Sequence, residues 1–304
     1  MKKLTFADVP NREQFLTSPE AIDLLATMPL DVADKFKRCF LNGDLLDRDI
    51  KDVHNFFLEY SSIIRIVTSC PSSAETFEYL YHKRPVENEV DRYFIRAKEA
   101  IGIEQRLLAL RQQLPDIITQ GILRLTLTKG QRFVIFNVGS GPGHDLIEVL
   151  EANPVLQKFV EVVCIDPDEN MLAIGERRVK ELGMADIFRF VPKKFGEAGL
   201  GEAHMILMIG ILCPVSHNNC VKILKNASRF LHPSGILVYN TVQTRMVMGD
   251  PLCDFIIRMA GWHLDYKEDS ESLEIAKEAG LEPIHSFFDS LQYNCMVIAR
   301  RASD

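Results

Sequence analysis

Apolar runs and amphipathic segments alternate along the chain from residue 133 onward. Runs that are apolar throughout predict strands buried on both faces of a parallel sheet, whereas apolar residues repeated every three or four positions predict helices. The predicted strands are 133–138, 160–165, 187–191, 205–212, 236–242, 283–288 and 293–299, and the predicted helices are 144–152, 170–182, 218–231 and 270–279. We therefore predict an α/β fold with a doubly wound, mostly parallel sheet of seven strands and an antiparallel hairpin at one edge.

The first 115 residues have a different pattern, with no glycine-rich strand signal, no internal repeat and no low-complexity linker. Their polar and apolar positions predict helical segments at 18–28, 31–41, 46–67, 73–82 and 88–114. On this basis we divide the chain into an all-helical domain, residues 1–115, and an α/β domain, residues 116–304. Ligands of open parallel sheets bind at the carboxyl ends of the strands, so we expect the helical domain to cap that edge and shape a substrate pocket. A role in stability or dimerisation is the alternative.

The composition is that of an ordinary globular protein and disfavours several other classes. Of 304 residues, 47% are hydrophobic and 25% are charged, so a substantial core can form. A formal net charge of −7 disfavours a protein that grips nucleic-acid phosphates over a broad surface. No apolar stretch approaches the length of a membrane span, and the N-terminus lacks the apolar core of a secretory signal. We expect a cytoplasmic protein without membrane or nucleic-acid partners, and its oligomeric state stays open.

The seven cysteines are odd in number and include no CxxC pair, which is typical of reduced thiols. Cys213, His217 and Cys220 have a spacing that resembles part of a metal site. No second pair completes a tetrahedral ligand set, so we predict no metal ion here.

The strongest chemical signal is the sequence GSGPG at residues 139–143, which follows a predicted strand and precedes a predicted helix. Glycines at alternating positions permit a tight turn, and a ligand can then approach the backbone N–H groups at the start of the helix. The next predicted strand ends in Asp166, a carboxylate at the distance that suits hydrogen bonds from ribose hydroxyls. The two features together predict a site for an adenosine-type cofactor.

The glycine spacing is G-x-G-x-G, with Gly143 one residue earlier than the third glycine of the dinucleotide-binding pattern G-x-G-x-x-G. This spacing resembles motif I of the class I S-adenosylmethionine-dependent methyltransferases, and residues 165–172 resemble their second motif. The order of predicted elements over residues 115–304 is also similar to that family. The resemblance implies a Rossmann-like fold, S-adenosyl-L-methionine as cofactor, and methyl transfer to an acceptor that we expect to be a small molecule.

The resemblance also implies roles for single residues. Gly139, Gly141 and Gly143 would let the amino-acid part of the cofactor lie against the backbone, and Asp166 would hold the ribose hydroxyls. Gly210 would leave room for the methionine moiety. Methyl transfer from a sulfonium requires alignment more than acid–base chemistry, so we assign no catalytic residue.

Two positions depart from the family pattern. Asn137 stands where most members have an acidic residue, and Lys193 stands where many have an aspartate against the adenine. The expected cofactor-binding residues are Asn137, Gly139, Ser140, Gly141, Gly143, Asp166, Pro167, Lys193, Lys194 and Gly210. The expected substrate contacts are Tyr93, Arg96, Tyr239 and Asn240.

Three other functions stay open. A NAD-dependent oxidoreductase uses a similar fold, but the glycine spacing disfavours it. A non-catalytic cofactor-binding module of the same fold is favoured only by the departures at Asn137 and Lys193. Transfer of the aminocarboxypropyl group of the cofactor would use the same glycine-rich loop.

Overall fold

The computed structural model describes residues 6–70, 74–81, 86, 88–125 and 131–302. The chain forms two compact units. The helical unit consists of Met1–Gln105, Val242–Tyr266 and Ser290–Tyr293, and the sheet unit consists of Arg106–Thr241, Lys267–Asp289 and Asn294–Asp304. The predicted boundary after residue 115 lies inside one long helix, α7 (Lys98–Arg124), whose first residues belong to the helical unit.

The sheet unit contains the seven-stranded sheet that the alternating pattern predicts. Its strands are β1 (Phe133–Val138), β2 (Val160–Ile165), β3 (Phe188–Val191), β4 (Ala203–Met208), β5 (Leu231–Val242), β6 (Leu281–Phe288) and β7 (Asn294–Arg301). Their order across the sheet is β3-β2-β1-β4-β5-β7-β6. β1 pairs in parallel with both β2 and β4, and β6 and β7 form an antiparallel pair. The strand order reverses between β1 and β4, which is the position where open α/β sheets bind ligands.

Helices cover both faces of this sheet. The helices of the unit are α8 (His144–Ala152), α9 (Glu169–Glu181), α10 (His217–Ala227), α13 (Asp269–Glu278) and the later part of α7. Side chains of α7, α8 and α9 share one core cluster with the strands, and side chains of α10 and α13 share the other. Along β1, Ile135 lies in the first cluster and Phe136 in the second. Both faces of the strand are therefore buried, which explains why it is apolar without alternation.

The structure corrects three of the predicted boundaries in the sheet unit. The predicted strand 205–212 is too long, because β4 ends at Met208 and Gly210 turns the backbone with a φ of 84°. The predicted helix 218–231 ends at Ala227, and β5 begins at Leu231 rather than at residue 236.

The helical unit is built from more and shorter helices than its sequence pattern predicts. They are α1 (Pro19–Ala26), α2 (Leu30–Asn42), α3 (Ile50–Tyr60), α4 (Ser62–Ser69), α5 (Ala74–Tyr81), α6 (Glu89–Arg96), the beginning of α7, α11 (Thr244–Gly249) and α12 (Pro251–Met259). The predicted helix 46–67 breaks at Ser61, whose hydroxyl accepts a hydrogen bond from the Ile64 N–H and donates one to Asp91. The predicted helix 88–114 breaks at Ala97, and the following N–H of Lys98 donates to the Asp250 carboxylate at 2.8 Å.

Residues 243–269 have no regular sequence pattern, yet they contain α11 and α12. Phe255 of α12 lies among the aromatic side chains of the helical unit, with ring centroids 5.2 Å from Phe6, 5.8 Å from Phe36 and 5.6 Å from Phe40. α12 therefore completes the core of the helical unit. Among the residues that the structure describes, no helix is both long enough and apolar enough to cross a membrane.

Candidate cofactor site

The glycine-rich loop follows β1 and leads directly into α8. Gly139, Gly141 and Gly143 have φ values of 60°, 49° and 81°, in the left-handed region that side chains disfavour. A Cβ atom added to Gly139 would lie 2.9 Å from the Ile211 side chain, and one added to Gly143 would lie 3.0 Å from the Cys164 sulfur. The loop conformation therefore requires glycine both for its backbone angles and for space.

Asp166 joins this loop to the end of β2. The parallel register pairs Val138 with Ile165, so the loops that follow the two strands lie side by side. The Asp166 Oδ2 atom accepts a hydrogen bond from the Gly141 N–H at 2.8 Å, and Oδ1 accepts one from the Asp168 N–H at 2.9 Å. Each carboxylate oxygen has a second lone pair, so the half-buried Asp166 can still accept hydrogen bonds from a ligand.

A third contact to the loop comes from α9 and was not predicted. A Cβ atom added to Gly175 would lie 2.2 Å from the Pro142 carbonyl oxygen. The helix and the loop therefore touch backbone to backbone. A glycine inside a predicted helix is the one sequence signal for this contact, because glycine costs about 1 kcal/mol relative to alanine there unless packing requires it.

Asn137 lies at the end of β1 and is buried, with an exposed fraction of 1%. Its Nδ2 atom donates to the Asp145 Oδ1 atom at 2.9 Å, and the same oxygen accepts from the Leu146 N–H at 3.0 Å. Burial raises the pKa of the Asp145 carboxyl group, while these hydrogen bonds and the nearby charges of His144 and Arg106 lower it. Asp145 was not among the predicted site residues.

The turn after β4 forms the neighbouring part of the site. The Gly210 N–H donates to the Asn240 Oδ1 atom at 2.7 Å, and the Asn240 amide nitrogen donates to Asn294 at 3.0 Å and contacts the Cys213 sulfur at 3.5 Å. A Cβ atom added to Gly210 would lie 3.8 Å from Nη1 of Arg106. The fully buried Asn240 therefore fixes the position of Gly210.

Other predicted cofactor residues lie in the loops after β1, β2 and β3. The Ser140 hydroxyl donates to the Gly141 carbonyl within the glycine loop. Pro167, Lys193 and Lys194 are exposed, and the backbone N–H of Lys193 donates to the Val191 carbonyl.

Of the four predicted substrate residues, Tyr239 and Asn240 belong to the sheet unit, and Tyr93 and Arg96 belong to the helical unit. Tyr239 is fully buried in the sheet unit, and its hydroxyl donates to the Ser272 carbonyl at 2.5 Å. Tyr93 and Arg96 belong to α6 of the helical unit, where Tyr93 is buried and Arg96 is exposed. Burial raises the pKa of Tyr93 well above its usual range.

Residues 136–237, which contain the glycine-rich loop, Asp166 and Gly210, match the family model described as a methyltransferase domain. This part of the chain is therefore similar to a methyltransferase domain. The match begins in β1 and ends in β5. Among curated proteins, none matches the chain in sequence.

Solved structures share the fold around this matched region. A possible exported protein from Bordetella parapertussis is 16% identical, with a TM-score of 0.66 over 94% of this chain and 100% of that chain. The magnesium protoporphyrin IX methyltransferase from Synechocystis, with bound SAH, is 12% identical, with a TM-score of 0.55 over 79% of this chain and 100% of that one. A mitomycin 7-O-methyltransferase is 15% identical, with a TM-score of 0.51 over 98% and 74% of the two chains. At these identities the likeness shows the fold.

Proposed function

We propose that the protein is an enzyme that transfers the methyl group of S-adenosyl-L-methionine to a small-molecule acceptor. The observation that carries the proposal is the arrangement of the Asp166 carboxylate and the glycine-rich loop. The loop has no room for side chains at Gly139 and Gly143, and Asp166 is hydrogen-bonded to the loop at Gly141. A ligand with ribose hydroxyls and a polar amino-acid end fits these groups.

Asp166 would accept hydrogen bonds from the ribose hydroxyls, and the glycine-rich loop would lie against the amino-acid end of the cofactor. When bound, S-adenosylmethionine would supply a methyl group already activated on a sulfonium: the acceptor would bond to the methyl carbon as the methyl–sulfur bond breaks in line with it, and the neutral thioether S-adenosylhomocysteine would leave. The protein's contribution is then to hold donor and acceptor in line and to exclude water. Gly210, which Asn240 holds in place, puts no side chain beside the end of β4, where Nη1 of Arg106 lies 3.8 Å from the position of an added Cβ.

The proposal of a small-molecule acceptor is supported by the named methyltransferases of similar fold, one for magnesium protoporphyrin IX and one for mitomycin. The net charge of −7 is also unfavourable for a nucleic-acid substrate.

The prediction that residues 1–115 shape the acceptor pocket belongs to the same proposal. Hydrogen exchange should then slow in α6 or α7, as well as around Gly141, when S-adenosylhomocysteine is added. Protection confined to residues after 130 would assign the helical domain to stability or assembly.

The function is tested by measuring S-adenosylhomocysteine production from S-adenosylmethionine. Small phenols, amines and carboxylates are compared with RNA and with an unfolded protein as acceptors, and NAD binding is titrated in parallel. We expect binding of S-adenosylmethionine, no binding of NAD, and turnover with a small molecule only. Binding of NAD without S-adenosylmethionine would favour an oxidoreductase, and turnover on RNA would overturn the proposed acceptor class.

A further inference from the structure

The amino-acid end of S-adenosylmethionine carries an ammonium and a carboxylate. A site that binds it therefore gains from one negative and one positive side chain. Asn137 lies at the end of β1, where the resembled family has an acidic residue, but it has no charge. The loss of this charge raises the question of which groups of the sheet unit could replace it.

Asp145 supplies a negative charge at the same end of β1. The hydrogen bond from Asn137 Nδ2 to Asp145 Oδ1 places the carboxylate next to the position of the missing acid. The Leu146 N–H donates to the same oxygen, so both hydrogen bonds orient the carboxylate through Oδ1. The other oxygen, Oδ2, has the acceptor capacity that an ammonium requires.

Arg106 supplies the positive charge. It is on α7 within the sheet unit and has an exposed fraction of 5%. Its Nη1 atom lies 3.8 Å from the position of an added Cβ at Gly210, which puts the guanidinium at the turn after β4. Its charge also acts on Asp145 and Cys213: burial raises the pKa of both groups, and Arg106 partly offsets that rise. Arg106 and Asp145 therefore share the electrostatic environment between the ends of β1 and β4.

We propose that Asp145 and Arg106 together bind the amino-acid end of the cofactor, Asp145 through the ammonium and Arg106 through the carboxylate. This inference rests on the proposed function, since it takes S-adenosylmethionine as the ligand. Asn137 is then a positioning residue, because its amide orients the Asp145 carboxylate. Asp145 in turn supplies the negative charge that an acidic residue at position 137 would carry. A planar guanidinium suits this task, since it can give two parallel hydrogen bonds to one carboxylate.

The test compares two ligands that differ in the amino-acid end. S-adenosylhomocysteine has the ammonium and the carboxylate, whereas 5′-methylthioadenosine has neither. Asp145→Asn and Arg106→Gln should each weaken binding of S-adenosylhomocysteine by about tenfold or more, because each removes a charge-assisted hydrogen bond. Binding of 5′-methylthioadenosine should stay within about twofold of the wild type. Asp166→Ala is the matched control and should weaken both ligands alike.

A second measurement separates the roles of the two side chains. Decarboxylated S-adenosylmethionine lacks the carboxylate that we assign to Arg106. The wild type and Asp145→Asn should both prefer S-adenosylmethionine to the decarboxylated form, and Arg106→Gln should lose this preference. The proposal is overturned if Asp145→Asn and Arg106→Gln leave S-adenosylhomocysteine binding unchanged, or if they weaken 5′-methylthioadenosine equally. Failure of the proposed function itself is distinct, because the wild-type protein would then bind neither S-adenosylmethionine nor S-adenosylhomocysteine.

Discussion

Glu99 is buried in the helical unit, with an exposed fraction of 3%, and it is close to two further acidic side chains, Asp250 and Asp254. Burial, followed by repulsion from Asp254 and Asp250, raises the pKa of Glu99 well above its usual value of 4.5. An acid with a higher pKa in the folded state binds its proton more tightly when folded. Its contribution to stability is therefore full below the unfolded pKa and decreases as pH rises toward the folded pKa.

Replacing Glu99 with glutamine should remove this pH dependence. A difference of one pH unit between folded and unfolded pKa values corresponds to about 1.4 kcal/mol, so Glu99→Gln should be more stable than the wild type at pH 8 by on the order of 1 kcal/mol. At pH 5 the two proteins should be similar. Urea denaturation at both pH values measures the effect, and Glu75→Gln at an exposed position is the control. The prediction would be contradicted if Glu99→Gln were less stable than the wild type at pH 8 and its free energy of unfolding changed with pH as steeply as that of the wild type.

The contact between Gly175 and the Pro142 carbonyl makes a second prediction for a single residue. Because an added methyl group would lie 2.2 Å from that oxygen, Gly175→Ala must push α9 away from the glycine-rich loop. We expect a loss of about 1–3 kcal/mol in the free energy of unfolding, despite the better helix propensity of alanine, together with weaker cofactor binding. Gly201→Ala is the control, since no atom lies within 4 Å of an added Cβ there. Unchanged stability of Gly175→Ala would mean that the loop and helix are not in contact.

At the scale of elements, the strands were predictable and the helix breaks were not. A strand such as β1 is identified by its own apolar run, which is buried on both faces. The break between α6 and α7 depends on Asp250, which accepts a hydrogen bond from the Lys98 N–H. The two residues are 152 positions apart in the sequence. The break at Ser61 likewise involves Asp91 of another helix. Periodicity reports which residues are buried, but it does not report side chains that cap a helix from a distant part of the chain.

Asp250 caps two helices at once. Its Oδ2 atom accepts from the Lys98 N–H at 2.8 Å at the start of α7, and its Oδ1 atom accepts from the Cys253 N–H at 3.2 Å in α12. Asp250→Ala should lower the free energy of unfolding by about 1–3 kcal/mol, since one cap is worth about 0.5–2 kcal/mol. Asp250→Asn keeps one acceptor oxygen and removes the charge of a half-buried side chain, so its free energy of unfolding should fall less. Chemical denaturation of both variants measures the difference, and equal losses would exclude the double cap.

At the scale of the whole molecule, the order of the strands along the chain explains which parts of the candidate site were predictable from the sequence. The glycine-rich loop and Asp166 come from neighbouring parallel strands, so their meeting follows from topology alone. The roles proposed for Asp145 and Arg106 were not predicted, because neither residue belongs to a family motif and their contacts with Asn137 and Gly210 exist only in three dimensions. Residues 242–266 and 290–293 also join the helical unit from the second half of the chain, which no local pattern signals.

The most direct test of the cofactor site is the dissociation constant of S-adenosylhomocysteine, measured by titration calorimetry for the wild type and for Asp166→Ala. Glu181→Ala, which removes an exposed acid at the end of α9, is the matched control, and circular dichroism verifies that each variant is folded. We expect Asp166→Ala to weaken binding by about 1.5–3 kcal/mol, roughly tenfold to a hundredfold, and Glu181→Ala to bind like the wild type. A folded Asp166→Ala protein with an unchanged dissociation constant would contradict this prediction.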